Sequence, residues 1–259
     1  MKLLNLAIRY LKYIFTSQNN SSLHSPHVYE FTTNIIYKKT KNSSVREIKN
    51  LRSLLYNRND YIFITDFGAG SSINKSNKRK IKDIAKNSSK NSKYGELLYR
   101  IVEFYKPKNI LELGTSFGIS TCYLAKGNIN SKVKTFEGCP STAKIAKQNF
   151  KQLKIKNTNI IVGDFKNTLA KNISSEIDLA FIDGNHNKKS TIEYFEMILK
   201  KSNNKTILVF DDIHWSKKMG QAWTYIKESK ETTVTIDLFF IGIVFLDKKL
   251  SKENYIIRF

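Results

Sequence analysis

Two short segments of this chain collect side chains able to do acid–base or metal chemistry, Asp183-Gly184-Asn185-His186 and Asp211-Asp212-Ile213-His214-Trp215. Three carboxylates brought together, in a chain with 22 acidic residues against 44 basic ones, would repel one another unless a cation lay between them. A hard divalent ion with oxygen ligands, Mg2+ or Mn2+, is the simplest such cation. It would make a hydroxyl usable as a nucleophile, because a bound metal stabilises the oxyanion left when the proton departs. His186, a residue type that titrates near neutrality, could take that proton. The plainer alternative is that His186 and His214 cap helices or support the acids. The base role suits His186 better, and the supporting role suits His214.

A second constellation could hold a nucleotide-like cofactor, and two glycine-bearing segments compete for it. One is Asp66-Phe67-Gly68-Ala69-Gly70-Ser71, after the apolar stretch Tyr61 to Thr65; the other is Ile110 to Ser120, which contains Glu112, Gly114, Thr115, Ser116 and Gly118. After Gly70 comes a polar loop with no second strand at the right distance. After Gly118 a helical stretch leads to a strand ending at Glu137, 25 residues beyond Glu112. An acid at the tip of the second strand is where the two hydroxyls of a ribose need acceptors, and small residues at the first tip let the backbone approach a ligand. Strand, glycine turn, helix, strand and acid in this order favour the second segment.

The elements that must position these residues are consecutive βα units. Strands are expected at Asn109 to Leu113, Lys132 to Glu137, Asn159 to Val162, Ile177 to Ile182, Thr206 to Phe210, Thr233 to Leu238 and Ile241 to Leu246. Helices are expected between them at Gly118 to Ala125, Ser141 to Leu153, Lys166 to Lys171, Lys188 to Lys200 and Lys218 to Ser229. Phe239 and Phe240 are too short a link for a parallel crossover, so the last two strands form an antiparallel hairpin. The fold class is therefore α/β: a Rossmann-like seven-stranded sheet, with five parallel βα units, a C-terminal hairpin and an N-terminal, mainly helical extension. In such sheets ligands bind beyond the carboxyl ends of the strands, where both acidic segments fall. The expected division is 1–93 for the extension, a cover for an acceptor pocket, and 94–259 for the cofactor-binding domain. Ser71 to Lys80, polar and basic, reads as a mobile surface loop.

From about Tyr94 onward these residues resemble the class I S-adenosylmethionine-dependent methyltransferases. The resemblance implies that Glu112, Gly114 and Gly118 hold the methionine end of S-adenosylmethionine, with Thr115, Ser116 and Ser120 alongside. It implies that Glu137 and Gly138 meet the ribose, that Asp164 and Phe165 meet the adenine, and that Asp183 borders the cofactor. Thr115-Ser116 stand where many members carry another glycine. The acidic segments resemble the metal-dependent O-methyltransferases of catechols and sugars. There Asp183, Asp211 and Asp212 would be the metal ligands and His186, in an Asp-Gly-x-His segment, the general base. No Asn-Pro-Pro-Tyr type of segment follows the fourth strand, which argues against a methylase of exocyclic base nitrogens. The stretch Leu23 to Phe31, with His24 and His27, and the segment Asp66 to Ser71 resemble an extension found in a group of bacterial methyltransferases. All four histidines are expected near the site. The expected reaction is O-methylation of a small hydroxylated acceptor, sugar or aromatic. An RNA methyltransferase and a cofactor-fold binding protein without catalysis are the competing readings.

Composition bounds the remaining readings. With 259 residues and 41% hydrophobic content, one large α/β domain plus a smaller segment is affordable. A net charge of +22 invites a nucleic-acid partner, but 37 of the 44 basic residues are lysines scattered along the chain, whereas phosphate and base contacts favour arginine. A dispersed solvated surface is the preferred reading. Arg9 and Lys12 interrupt the apolar run at the N-terminus before it could serve as a signal or span a bilayer, so a cytoplasmic protein is expected. That run reads as an amphipathic helix for core packing or a dimer contact, and homo-oligomerisation stays open. Cys122 and Cys139 lack the spacing of a zinc site or a disulfide framework.

Overall fold

The chain is described by a computed structural model that covers residues 2–19, 23–65, 77–88, 92–173 and 176–259. In chain order its helices and strands begin with α1 (Lys2–Thr16), α2 (Pro26–Phe31, continued by a π-helical turn over Thr32–Ile36), α3 (Ser43–Tyr56), β1 (Tyr61–Phe63), β2 (Lys78–Lys80), α4 (Ile81–Ser88) and α5 (Ser92–Tyr105). Then come β3 (Asn109–Leu113), α6 (Ile119–Gly127), β4 (Lys132–Glu137), α7 (Pro140–Gln152), β5 (Thr158–Val162) and α8 (Phe165–Asn172). The last are β6 (Ile177–Ile182), α9 (Lys188–Leu199), β7 (Ser202–Asp211), α10 (Lys217–Glu228), β8 (Val234–Asp237), β9 (Ile241–Phe245) and β10 (Glu253–Ile256). These fall into two compact units, Lys39–Ser174 and Met1–Lys38 with Ser175–Phe259.

In the unit Lys39–Ser174, β3, β4 and β5 run parallel in that order. Leu113 stands opposite Phe136 and Glu137 opposite Val162, so the three strands end level and their following turns share one edge. The helices are amphipathic: α3 buries Val45, Ile48, Leu51 and Leu55, one face at three- to four-residue spacing. That face joins Ile81, Tyr99, Cys122, Tyr123 and Phe150 in a single cluster. The expected boundary at residue 93 is corrected by this packing. Residues 45–55 and 81–85 share a core with residues 99–153, and the boundary itself falls inside α5. Lys78–Lys80, expected in a loop, forms β2 antiparallel to β1, because pairing with Tyr61–Phe63 satisfies its backbone whatever its side chains. The segment Asp66 to Ser71 lies outside the described residues.

In the other unit the strand order is β10-β8-β9-β7-β6. β6 and β7 are parallel, and β8 and β9 form the expected antiparallel hairpin, with β9 also antiparallel to β7. Its corner turns at Phe239, whose φ is 69°. The count of seven strands missed β10, which pairs parallel with β8. Its residues, Glu253 to Ile256, are half polar and carry no alternating signal. Helix α1 is held to this end of the unit. The Tyr13 hydroxyl donates to the Ile257 carbonyl at 2.6 Å, and the Arg258 guanidinium donates to the Ile14 carbonyl at 2.6 Å. The rings of Tyr10 and Tyr13 pack on Phe239 at 4.9 and 5.4 Å.

Candidate functional site

The register of β6 and β7 brings the acidic segments together. Ile182 pairs with Phe210, so Asp183 and Asp211, one residue further along parallel strands, stand side by side. Asp183, His186 and Asp211 each offer a ligand atom, and the three atoms lie within 4.8 Å of one another. Octahedral ligands about 2.1 Å from a small divalent ion stand about 3 Å apart in cis and about 4.2 Å apart in trans. The three atoms fall close to that spacing, and the two carboxylates are the donors a hard cation prefers. His186 Nε2 lies 3.4 Å from Asp183 Oδ1, and its Nδ1 lies 3.7 Å from Asp212 Oδ2. Asp183 and Asp211 of the expected three-acid set meet here together with His186, and Asp212 lies by the other nitrogen of the imidazole.

The backbone explains this arrangement. Asn185, His186 and Asp212 have φ values of 63°, 30° and 56°, left-handed conformations that cost about 1–3 kcal/mol each outside glycine and persist where surroundings over-determine them. The turn after β6 is pinned by the Asn185 amide, which donates to the Tyr194 hydroxyl at 2.5 Å. Asn187, not His186, caps α9 by accepting the Ser190 N–H at 3.0 Å, and Ser216, not His214, caps α10 through the Met219 N–H at 3.1 Å. Neither histidine is a helix cap, which removes one of the two plainer alternatives.

His214 has a partner that the sequence reading did not single out. Its Nε2 lies 2.6 Å from Oδ2 of Asp237, a buried acid at the end of β8, and its ring stacks on Phe239 at 5.3 Å. The same carboxylate accepts from Trp223 Nε1 at 3.2 Å and from the Phe239 N–H at 2.8 Å. The supporting role expected for His214 is toward the site acids, and its imidazole is paired instead with Asp237. His27 is likewise corrected. Its ring meets Phe245 edge-on at 4.6 Å, and Phe245 pairs with Ile207 while Asp211 pairs with Ile241. Four residues of strand separate the two positions, about 14 Å, so His27 packs at the far end of β7 from the acids. Burial lowers its pKa, with Glu30 and Asp247 opposing. His24 is exposed.

In the unit Lys39–Ser174 the turn after β3 is built around two acids. Glu112 is fully buried; its Oε2 accepts from the Thr121 hydroxyl at 2.5 Å and from the Thr135 hydroxyl at 2.6 Å. Burial pushes its pKa up to about 7, partly offset by the hydroxyls of Ser120, Thr121 and Thr135. Its other oxygen, Oε1, is buried with no hydrogen-bond partner among the described residues. A carboxylate held in this way gains from a cationic ligand group nearby, which is what the ammonium of a methionine moiety supplies. Thr121 and Thr135 escaped the sequence reading; the second stands opposite Glu112 across the β3–β4 pair, a register no local pattern displays.

Glu137 closes the same turn. Its Oε2 accepts the Ser116 N–H at 2.7 Å and its Oε1 the Cys139 N–H at 2.8 Å. Burial raises its pKa, and these backbone donors, with the Thr142 hydroxyl and the Gly138 amide, pull it back. Gly114 and Gly118 have φ values of 101° and 78°, and both Gly114 and Thr115 donate their N–H to the Phe136 carbonyl, at 3.0 and 3.1 Å. The Thr115 side chain is buried, with its hydroxyl 2.5 Å from that of Thr135, and its carbonyl accepts the Gly118 N–H at 2.7 Å. Asp164 caps α8 by accepting the Asn167 N–H at 3.2 Å, and Phe165 behind it is buried. Capping occupies one carboxylate oxygen and leaves the other for an amine donor.

Residues 111–213 match the model of a family described as a methyltransferase domain, a span that contains both the Glu112–Glu137 turn and the acids of the second unit. A catechol O-methyltransferase of Mycobacterium tuberculosis is 26% identical over 121 residues, 46% of this chain and 54% of that protein. A catechol O-methyltransferase of Niastella koreensis is 31% identical over 126 residues, 46% of this chain and 55% of that one. The chain thus spans about half the length of these relatives. Among solved structures, an S-adenosylhomocysteine-bound methyltransferase from Podospora anserina superposes with a TM-score of 0.62 at 15% identity, covering 86% of this chain and 97% of that one. The chain therefore has the Rossmann-like α/β methyltransferase fold.

Proposed function

We propose that the chain is an S-adenosylmethionine-dependent O-methyltransferase in which a divalent cation, Mg2+ or Mn2+, holds the hydroxyl of a small acceptor, a sugar or an aromatic. The observation that carries this reading is the meeting of Asp183, His186 and Asp211 at the ends of neighbouring parallel strands, within the span that matches a methyltransferase domain. The match to catechol O-methyltransferases supports a hydroxyl as the acceptor atom.

In this reading Glu112, with the turn Gly114, Thr115, Ser116, Gly118 and Ser120, holds the methionine end of the cofactor. Glu137 and Gly138 hold the ribose, and Asp164 and Phe165 hold the adenine. Asp183, Asp211 and Asp212 would ligate the cation, which leaves His186 as the base. Bound there, the cation would supply Lewis-acid stabilisation of an alkoxide or phenoxide. His186 takes the hydroxyl proton, and its imidazolium is stabilised by Asp183 on one face and Asp212 on the other. The acceptor oxygen then bonds to the methyl carbon as the carbon–sulfur bond breaks, and the bonding pair leaves with sulfur as the neutral thioether S-adenosylhomocysteine.

The N-terminal segment is proposed to shape the acceptor side. Arg9 of α1 reaches the carbonyl of Trp215, in the turn that follows Asp211 and Asp212, and the Trp215 ring is half exposed there. No described helix is long and apolar enough to cross a membrane.

The test is turnover of a catechol or sugar acceptor with and without chelator. Activity should vanish in chelator, return with Mg2+ or Mn2+, and be absent in Asp183→Ala. Full turnover in chelator would remove the metal from the mechanism.

A further inference from the structure

Beside the acid cluster, the unit formed by Met1–Lys38 and Ser175–Phe259 has an open cavity of about 560 Å3, within the range of small-molecule sites. Its lining includes Arg9, Lys188, His214 and Lys217, with exposed Glu228 as the single acid. The segments that carry the acids also carry two of these residues. Lys188 follows His186 by two residues, and His214 follows Asp212 by two, so each lies within about 7 Å of chain of a site residue.

Three observations point to an anion here. Arginine is scarce in this chain, with 7 among the 44 basic residues, yet one of them faces this cavity. Among the described residues Arg9 Nε is buried with no hydrogen-bond partner, and the guanidinium makes a single long contact, 3.4 Å to the Trp215 carbonyl. A buried guanidinium donor without an acceptor is costly, and a phosphoryl group matches its planar fork. Finally, α9 and α10 both begin at this cavity with a pair of lysines and no acid in the first turn. Lysines add to the positive ends of two helix dipoles there, an arrangement that an anion relieves.

We infer that this cavity binds the phosphate or pyrophosphate ester group of a small phosphorylated acceptor, whose hydroxyl reaches the Asp183–Asp211 cluster. The anion site stands on the cavity itself; only its assignment to the acceptor rests on the O-methyltransferase reading.

Titration of inorganic pyrophosphate into the full chain at low salt and without metal, followed by tryptophan fluorescence and calorimetry, tests the site directly. Saturable binding is expected, weakened about tenfold in Arg9→Gln and in Lys217→Gln and weakened further as salt rises. Lys217 is exposed on the first turn of α10, so its variant reads the charge without disturbing α1. Absence of saturation in the unmodified protein overturns the proposal. So does unchanged affinity in Lys217→Gln, or benzoate binding as tightly as pyrophosphate. S-adenosylhomocysteine affinity, measured on the same samples, should be equal in all three proteins. Its absence in the unmodified protein would defeat the methyltransferase reading and leave the anion site standing.

Discussion

Glu137 accepts the backbone N–H of Ser116 at 2.7 Å, so the acid at the end of β4 is fastened to the glycine-bearing turn after β3. The second oxygen is fastened in the same way to Cys139. A carboxylate oriented by two backbone donors is already in place before a ligand arrives, and the cost of ordering it is met by the fold.

If Glu137 holds the ribose as proposed, replacing it with alanine should weaken S-adenosylmethionine binding twice over, by removing that acceptor and by freeing the Ser116 turn. Hydrogen bonds to charged groups contribute about 1.5–3 kcal/mol, so a loss of about 10- to 100-fold in affinity is expected by calorimetry. Affinity within a factor of two of the unmodified protein would exclude Glu137 from the cofactor site.

Glu112 predicts a pH dependence of stability. Its folded-state pKa of about 7 lies above the ordinary 4.5, so the folded protein keeps a proton that the unfolded chain releases in that interval. The contribution is fully present below about pH 4.5, falls as pH rises toward 7 and is lost above it, with an upper bound of about 3 kcal/mol. Glu112→Gln removes this slope while keeping an acceptor for Thr121 and Thr135. In denaturant titrations it should match the unmodified protein near pH 4.5 and exceed it at pH 8. A variant that is less stable at pH 8 would show that Glu112 is not a buried acid under strain.

For His186 the expected outcome separates base from ligand. His186→Ala should lower kcat about 10²- to 10⁴-fold while Mn2+ affinity, followed by electron paramagnetic resonance, changes less than tenfold. Asp211→Asn should do the reverse to the metal. If Mn2+ binding disappears with the imidazole, His186 is the ligand and the base lies elsewhere.

Gly118 is irreplaceable for two reasons that add. Its φ is 78°, and a Cβ there would stand 2.5 Å from Phe150 Cε1. Gly118→Ala should cost about 2–4 kcal/mol in chemical denaturation. Phe150→Leu combined with it should recover part of that cost by opening space. No recovery would mean that backbone strain carries the whole effect.

Much of this protein was legible along the chain because it is encoded locally. Apolar β-branched runs set β3, β4, β6 and β9 within a residue or two, and the two-residue link at Phe239 and Phe240 could only make a hairpin. The glycine turn, the acid at Glu137 and the paired acidic segments were visible for the same reason: each motif sits at the tip of a strand, and strand tips are marked by the end of an apolar run.

What only the tertiary structure decided are the properties of register and partner choice. β10 becomes a strand because β8 offers it an edge, and β2 because β1 does. Thr135 grips Glu112 because the β3–β4 register sets them opposite, His214 turns to Asp237 across 23 residues, and left-handed turns at Asn185, His186 and Asp212 place an imidazole beside the acids. Helices α3 and α4 share one apolar cluster with α5, α6 and α7. Such outcomes depend on which distant groups compete for one donor or one patch of apolar surface. That competition is resolved only when the chain is closed, so nearest-neighbour patterns in the sequence carry no trace of it.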